Sequence, residues 1–135
     1  MSIVGPLKIK AQILCGADFA MGPGKAGLLE AIDREGSISA AGRALGMSYR
    51  RAWLLVDTMN RCWAERLVDT LPGGGARRGA KLTECARTVL AAFRGLEAGL
   101  MQASRSSEME TLSKLMRDEP RTSQNQPDGK ASPLA

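Results

Sequence analysis

At 135 residues the chain is about one domain, and its 44% apolar content supplies a core that at this size is often completed by dimerisation. The formal charge of +5 is concentrated in residues 37–81, which hold 8 Lys/Arg against 3 Asp/Glu, whereas residues 105–135 hold 5 of each. Such a patch attracts polyanions, with a solvated basic surface as the plainer alternative. With no histidine, no paired-carboxylate motif and no nucleotide fingerprint, a catalytic constellation is hard to assemble, and the chain reads as a non-enzyme.

In chain order, LKIKAQI (7–13) alternates Leu7, Ile9, Ala11 and Ile13 against Lys8, Lys10 and Gln12, the pattern of one half-buried strand. GADFAMGPG (16–24) reads as loop, with Pro23 and Gly24 as breakers. KAGLLEAIDRE (25–35) predicts a helix burying Leu28, Leu29 and Ile32 and stopped by Gly36. Helices over 38–45 and 49–63 follow, joined by a very short turn. LVDT (67–70) and AKLT (80–83) are short strands linked by the loop PGGGARRG (72–79). From Leu82, the residues Ala86, Val89, Leu90, Phe93 and Leu100 form a sustained helical stripe. Met109, Leu112 and Met116 form a weaker one. Beyond Pro120 the composition offers almost nothing to bury, and a disordered tail is expected.

The cysteines Cys15, Cys62 and Cys85 are odd in number, far apart and never in a C-x-x-C spacing. They lack the partners of a zinc site and are expected to be free, mostly buried thiols in a reducing cytosol. No apolar run nears the roughly 18 residues of a membrane span, and no signal-peptide pattern opens the chain, so a soluble cytoplasmic protein is expected.

The order of elements fits a fold that is mainly α with a small β component. It is a winged helix-turn-helix with an N-terminal strand and a long C-terminal dimerisation helix. The DNA-binding and dimerisation domain would span 1–104, a short helical extension 105–119 and the tail 120–135. In the first helix of the motif Ile38, Ala41 and Leu45 form the inner face, and Gly42 fits a close helix crossing. Gly46 permits the turn, Met47 plugs the angle, and Ser48 caps the second helix, which buries Ala52, Val56 and Met59. Outside that stripe, Ser48, Tyr49, Arg50 and Arg51 occupy the first turn, where a recognition helix meets base edges. Ser37 and Ser39 add hydroxyls for phosphate, although the serines are helix caps first. Arg77, Arg78 and Lys81 in and beside the wing suit the minor groove or the backbone. Trp53 is expected to pack between helices rather than touch DNA.

The run GSISAAGRALGMSYRRAWLLVDTMN, followed by LVDT, a Gly-rich basic loop and AKLTECARTVL, resembles the N-terminal domain of the molybdate-responsive transcriptional regulators, the ModE family. Its helix-turn-helix is a relative of the LysR type. The family pattern G-S-I-S, S-Y-K/R-x-A-W, D/N-x-M-N and a glycine-filled wing before L-T corresponds to Gly36–Ser39, Ser48–Trp53, Asp57–Asn60 and Gly73–Thr83. The resemblance covers about residues 5–100. It implies a homodimer on a palindromic operator in double-stranded DNA, usually a repressor of molybdate-uptake genes. The long helix would supply the dimer interface through Ala86, Val89, Leu90, Phe93 and Leu100, a stripe whose apolar character independently suits a partner helix. Full-length members continue into a pair of small β-barrels that bind molybdate, and the alternating strands of such barrels are not in this sequence. Molybdate therefore enters by resemblance only, and no cofactor is expected in these residues. RTSQNQ (121–126) is a short echo of the T-S-A-R-N-Q signature of that sensor region, without its arginine. Leu54 and Leu55 replace more polar residues, leaving an exposed apolar residue on the recognition helix or a partner contact. Two other functions stay open beside DNA binding. One is a small oxyanion-binding protein, and the other is an interaction module that heterodimerises with a full-length relative.

Overall fold

The computed structural model describes residues 2–72, 79–125 and 127. Two short antiparallel hairpins open the chain. β1 (Ser2–Val4) pairs with β2 (Leu7–Ile9), and β3 (Ile13–Cys15) pairs with β4 (Asp18–Met21). The single strand expected over 7–13 is therefore two strand segments in two different hairpins, and the expected loop 16–24 contains a strand. The reason lies in two turns, Gly5–Pro6 and Gly16–Ala17, whose glycines sit at φ +56° and +58°. A two-residue connection beginning with a positive-φ glycine is a hairpin turn. β4 ends in Ala20 and Met21, both buried in the core.

α1 (Pro23–Glu35) begins two residues before the predicted start. Pro23 opens the helix rather than breaking it, because the first helical position needs no intrahelical amide and proline's fixed φ suits it. Its buried face is Ala26, Leu28, Leu29, Ala31 and Ile32. Full burial of a Leu or Ile side chain contributes roughly 1.5–3 kcal/mol before conformational entropy is charged against it. Gly36 ends the helix in the left-handed region at φ 78°, as expected, its amide donating to Ile32 O.

α2 (Ile38–Ala44) and α3 (Tyr49–Cys62) form the helix-turn-helix against α1. Ile38, Ala41 and Gly42 are buried on α2, and Ala52, Val56 and Met59 on α3. A Cβ at Gly42 would lie 3.2 Å from Ala52 Cβ and 3.5 Å from Met47 O, so the crossing is close and a methyl there would push Ala52 back by a few tenths of an ångström. Leu45 departs from its expected place on the inner face. α2 ends at Ala44, Leu45 occupies the C-cap, and off the helical period its side chain is 42% exposed. Met47, after the positive-φ turn at Gly46, packs against the core in its stead.

β5 (Val68–Thr70) and β6 (Ala80–Leu82) pair antiparallel as the base of the wing. α4 (Glu84–Ala103) follows directly, capped by Thr83, whose Oγ1 accepts from Ala86 N at 3.1 Å and donates to Arg66 O at 2.7 Å. α4 lies against α1, β1 and β6. Two charge clusters fasten it to α1. Arg87 donates to both carboxylate oxygens of Asp33 at 3.0 and 3.4 Å. Arg94 donates to both of Glu30 at 2.6 and 3.2 Å, and at 2.7 Å to buried Glu97. α5 (Ser107–Leu115) buries no residue, and Leu112, Leu115 and Met116 are exposed. Residues 120–125 form neither helix nor strand, and Gln126 and residues 128–135 of the expected tail lie outside the described residues.

Candidate nucleic-acid interface

The polar face of the helix-turn-helix begins with its caps. Ser37 Oγ accepts from Ala40 N at 3.0 Å, and Ser48 Oγ accepts from Arg51 N at 3.1 Å. Each serine thereby satisfies one of the amides that a helix start leaves without a carbonyl. Ser39 caps nothing, and its hydroxyl accepts from Arg43 Nη1 at 3.5 Å. That arginine joins the same face from α2 and was not singled out from sequence, because as one Arg on a short helix it carried no pattern.

On α3 the expected division holds. Ala52, Val56 and Met59 face the core, while Tyr49, Arg50 and Arg51 are exposed on the first turn and Leu54 one turn later. No carboxylate among the described residues pairs with Arg50 or Arg51, which leaves both guanidinium forks available to an incoming acceptor. Tyr49 meets Trp53 edge-on, with ring centroids 6.1 Å apart at 71°. Trp53 is half-buried and packs against the core, as expected. Of the leucine pair, Leu54 is the exposed one and Leu55 packs inward.

A further cation lies on α1, which packs against α3. Lys25 on α1 is half-buried, and that burial, reinforced by the positive field of Arg51, holds its ammonium below the ordinary lysine range. Sequence did not mark Lys25, since the approach of α1 to the start of α3 is a tertiary fact.

The wing is tied to α3 by one side chain. Asn60 Oδ1 accepts from Leu67 N at 2.9 Å and from Val68 N at 3.0 Å, and its Nδ2 donates to Val68 O at 3.1 Å. At the far edge Ala80 N donates to Gly36 O at 2.9 Å, and Leu71 N donates to Gly79 O at 2.7 Å. The base of the wing is thus anchored both to the end of α3 and to the corner between α1 and α2. Lys81 is exposed on β6, while Arg77 and Arg78 lie outside the described residues.

The residues expected to face a partner helix divide sharply. Ala86 and Phe93 are buried in this chain's own core, Val89 and Leu90 are half-buried against it, and Leu100 is 38% exposed. Ala86 and Phe93 therefore have no surface to offer a second chain. The leucine that joins Leu100 outside is Leu96, 44% exposed and one turn earlier, which the stripe had passed over. The cysteines also differ from expectation, since Cys15 is exposed and Cys62 and Cys85 are only half-buried. Among the described residues no helix is long and apolar enough to cross a membrane.

No protein-family model matches the chain. Several curated proteins do. The molybdenum-pterin-binding protein MopB of Rhodobacter capsulatus is 44% identical over 88 residues, 65% of this chain and 33% of its own length. The molybdenum transport protein ModE of Azotobacter vinelandii is 46% identical over 70 residues, 52% of this chain and 26% of its own. The transcriptional regulator ModE of Yersinia pestis is 38% identical over 77 residues, 57% of this chain and 28% of its own. Among solved structures, the full-length LysR-type regulator LysG of Corynebacterium glutamicum with bound effector Arg is 24% identical, with a TM-score of 0.46 over 71% of this chain and 30% of that one. The chain spans about a third or less of the length of these curated relatives. Over the matched 52–65% of its length, this chain is a homologue of the ModE and Mop proteins.

Proposed function

We propose that the chain is a sequence-specific DNA-binding transcriptional regulator that acts as a homodimer on double-stranded DNA with a palindromic operator. In this reading α3 lies in the major groove, with Tyr49, Arg50 and Arg51 at base edges. Ser37, Ser39 and Ser48 lie near phosphates, and Lys81 with the wing arginines Arg77 and Arg78 follows the adjacent backbone. The observation that carries it is the exposed first turn of α3, with two arginines that no carboxylate among the described residues neutralises. Repression of molybdenum-uptake genes is the regulatory role we infer, supported by the similarity to proteins named for molybdenum transport and regulation.

Selection of bound fragments from genomic DNA, followed by gel-shift titration, tests the assignment. Arg50→Ala and Arg51→Ala are each expected to weaken specific binding about 5- to 100-fold, the range of one lost bidentate base contact, and to relax the preferred sequence. Lys81→Ala is expected to weaken all sequences alike and to flatten the salt dependence. Undiminished specific binding by the Arg50→Ala/Arg51→Ala double variant would overturn the placement of α3.

A second reading, an interaction module that heterodimerises with a full-length relative, draws on the exposed Leu96 and Leu100 of α4. Capture of such a relative by a chain that retains no DNA fragment would favour it.

A further inference from the structure

Cys62 is the last residue of α3, and both of its neighbours in sequence are bonded to the β3–β4 hairpin. Arg61 reaches Asp18 at 3.7 Å, and Trp63 Nε1 donates to Ala20 O at 3.0 Å. Asp18 is the direct cross-strand partner of Cys15. The end of α3 is therefore held down on the hairpin from both sides, with Cys62 between the two attachments and Cys15 opposite one of them. Cys15 is exposed and Cys62 half-buried, so the Cys15 thiol is the more open to a reagent.

We propose that Cys15 and Cys62 are an oxidisable pair that closes an intrachain disulfide between the β3–β4 hairpin and the C-terminal end of α3. Burial first, then the neighbouring Cys15 thiol and the Asp18 carboxylate, pushes the Cys62 thiol up. The oxidant is a hydroperoxide. The Cys15 thiolate attacks one peroxide oxygen, the O–O bond breaks, and a proton converts the departing alkoxide or hydroxide to alcohol or water, leaving a sulfenic acid on Cys15. Cys62 then attacks the Cys15 sulfur. The S–O bond breaks, the S–S bond forms, and the oxygen leaves as water after taking up the Cys62 proton. Two thiols are oxidised, one peroxide is reduced, and the disulfide closes a loop containing α1, α2 and nearly all of α3.

The bond clips the end of α3 remote from Arg50 and Arg51, and the inference does not rest on DNA binding. The full chain is treated with a small excess of hydrogen peroxide, alkylated without reduction, and read by intact mass and peptide mapping. The expected product has lost two hydrogens, remains monomeric on non-reducing gels where the untreated chain is monomeric, and yields one linked peptide joining Cys15 to Cys62. Reduction restores the mass and lowers Tm by several degrees, because the closed loop no longer restrains the unfolded chain. Cys85→Ser leaves the product intact, while Cys15→Ser and Cys62→Ser each abolish it. A wild-type chain whose Cys15 gains oxygen while Cys62 stays alkylatable would overturn the proposal, as would a link that uses Cys85 or joins two chains.

Discussion

At Asn60 a single carboxamide accepts from the amides of Leu67 and Val68 and donates to the Val68 carbonyl, at the start of β5. Few other side chains combine both polarities at that reach. Asn60→Ala strands two backbone donors and an acceptor of residues 67 and 68, both buried, and is expected to cost about 2–3 kcal/mol. The urea midpoint of unfolding reads this directly, and a cost within about 0.5 kcal/mol of zero, the scatter of an ordinary surface substitution, would contradict the clamp. The residue stood inside a recognisable motif, yet its duty could not be read there. Its acceptors and donors lie seven and eight residues away on another element. Ser48 was legible for the opposite reason, since an N-cap is satisfied within its own helical turn.

Helices declared themselves by period, and α1, α2 and α3 bury the residues that period selects, apart from Leu45 where α2 stops short. Strands were harder. Alternation in LKIKAQI assigns faces but not partners, and the glycine turns that send its two ends into separate hairpins are single residues on either side of it. On α4 the stripe was correct as a stripe and ambiguous as a surface, because the same spacing serves a helix docked on its own chain or on another. Beside the buried Ala86 and Phe93, two arginines of α4 tie it to α1, Arg87 to Asp33 and Arg94 to Glu30. Arg94 bridges half-exposed Glu30 and buried Glu97, and these hydrogen bonds raise its guanidinium further above its already high range. Arg94→Ala is expected to destabilise the chain by about 1–3 kcal/mol, chiefly by removing one charged donor from a carboxylate already out of water. The Glu30 arm is solvent-screened and contributes less. Arg94→Lys should rescue only part of the loss, since an ammonium cannot fork to Glu30 and also reach Glu97 as the planar group does. Equal urea midpoints for Arg94→Ala and the parent chain would contradict this.

For the whole molecule, the question the stripe left open becomes one of which leucines are unspent. Ala86 and Phe93 complete the monomer core, whereas Leu96 and Leu100 sit one turn apart on the outside of α4. The proposed homodimer should therefore depend on that pair. Sedimentation of the full chain is expected to show a dimer that Leu96→Glu/Leu100→Glu weakens at least about tenfold, while its helical content and melting as a monomer persist. A dimer of undiminished strength in that variant would move the interface elsewhere.

The bond from Ala80 N to Gly36 O gives the domain a further mechanical property. Gly36 closes α1, opens the path into α2 and holds β6 of the wing, all within one residue, while Asn60 grips the other strand. Helix and wing are the two jaws of a caliper riveted at Gly36. Arg50 on α3 and Lys81 on β6 are thus carried on elements joined by these two attachments. On the proposed function such a frame would act as a gauge of width: a duplex whose groove and adjacent backbone are spaced differently would be disfavoured by misfit, whatever its bases.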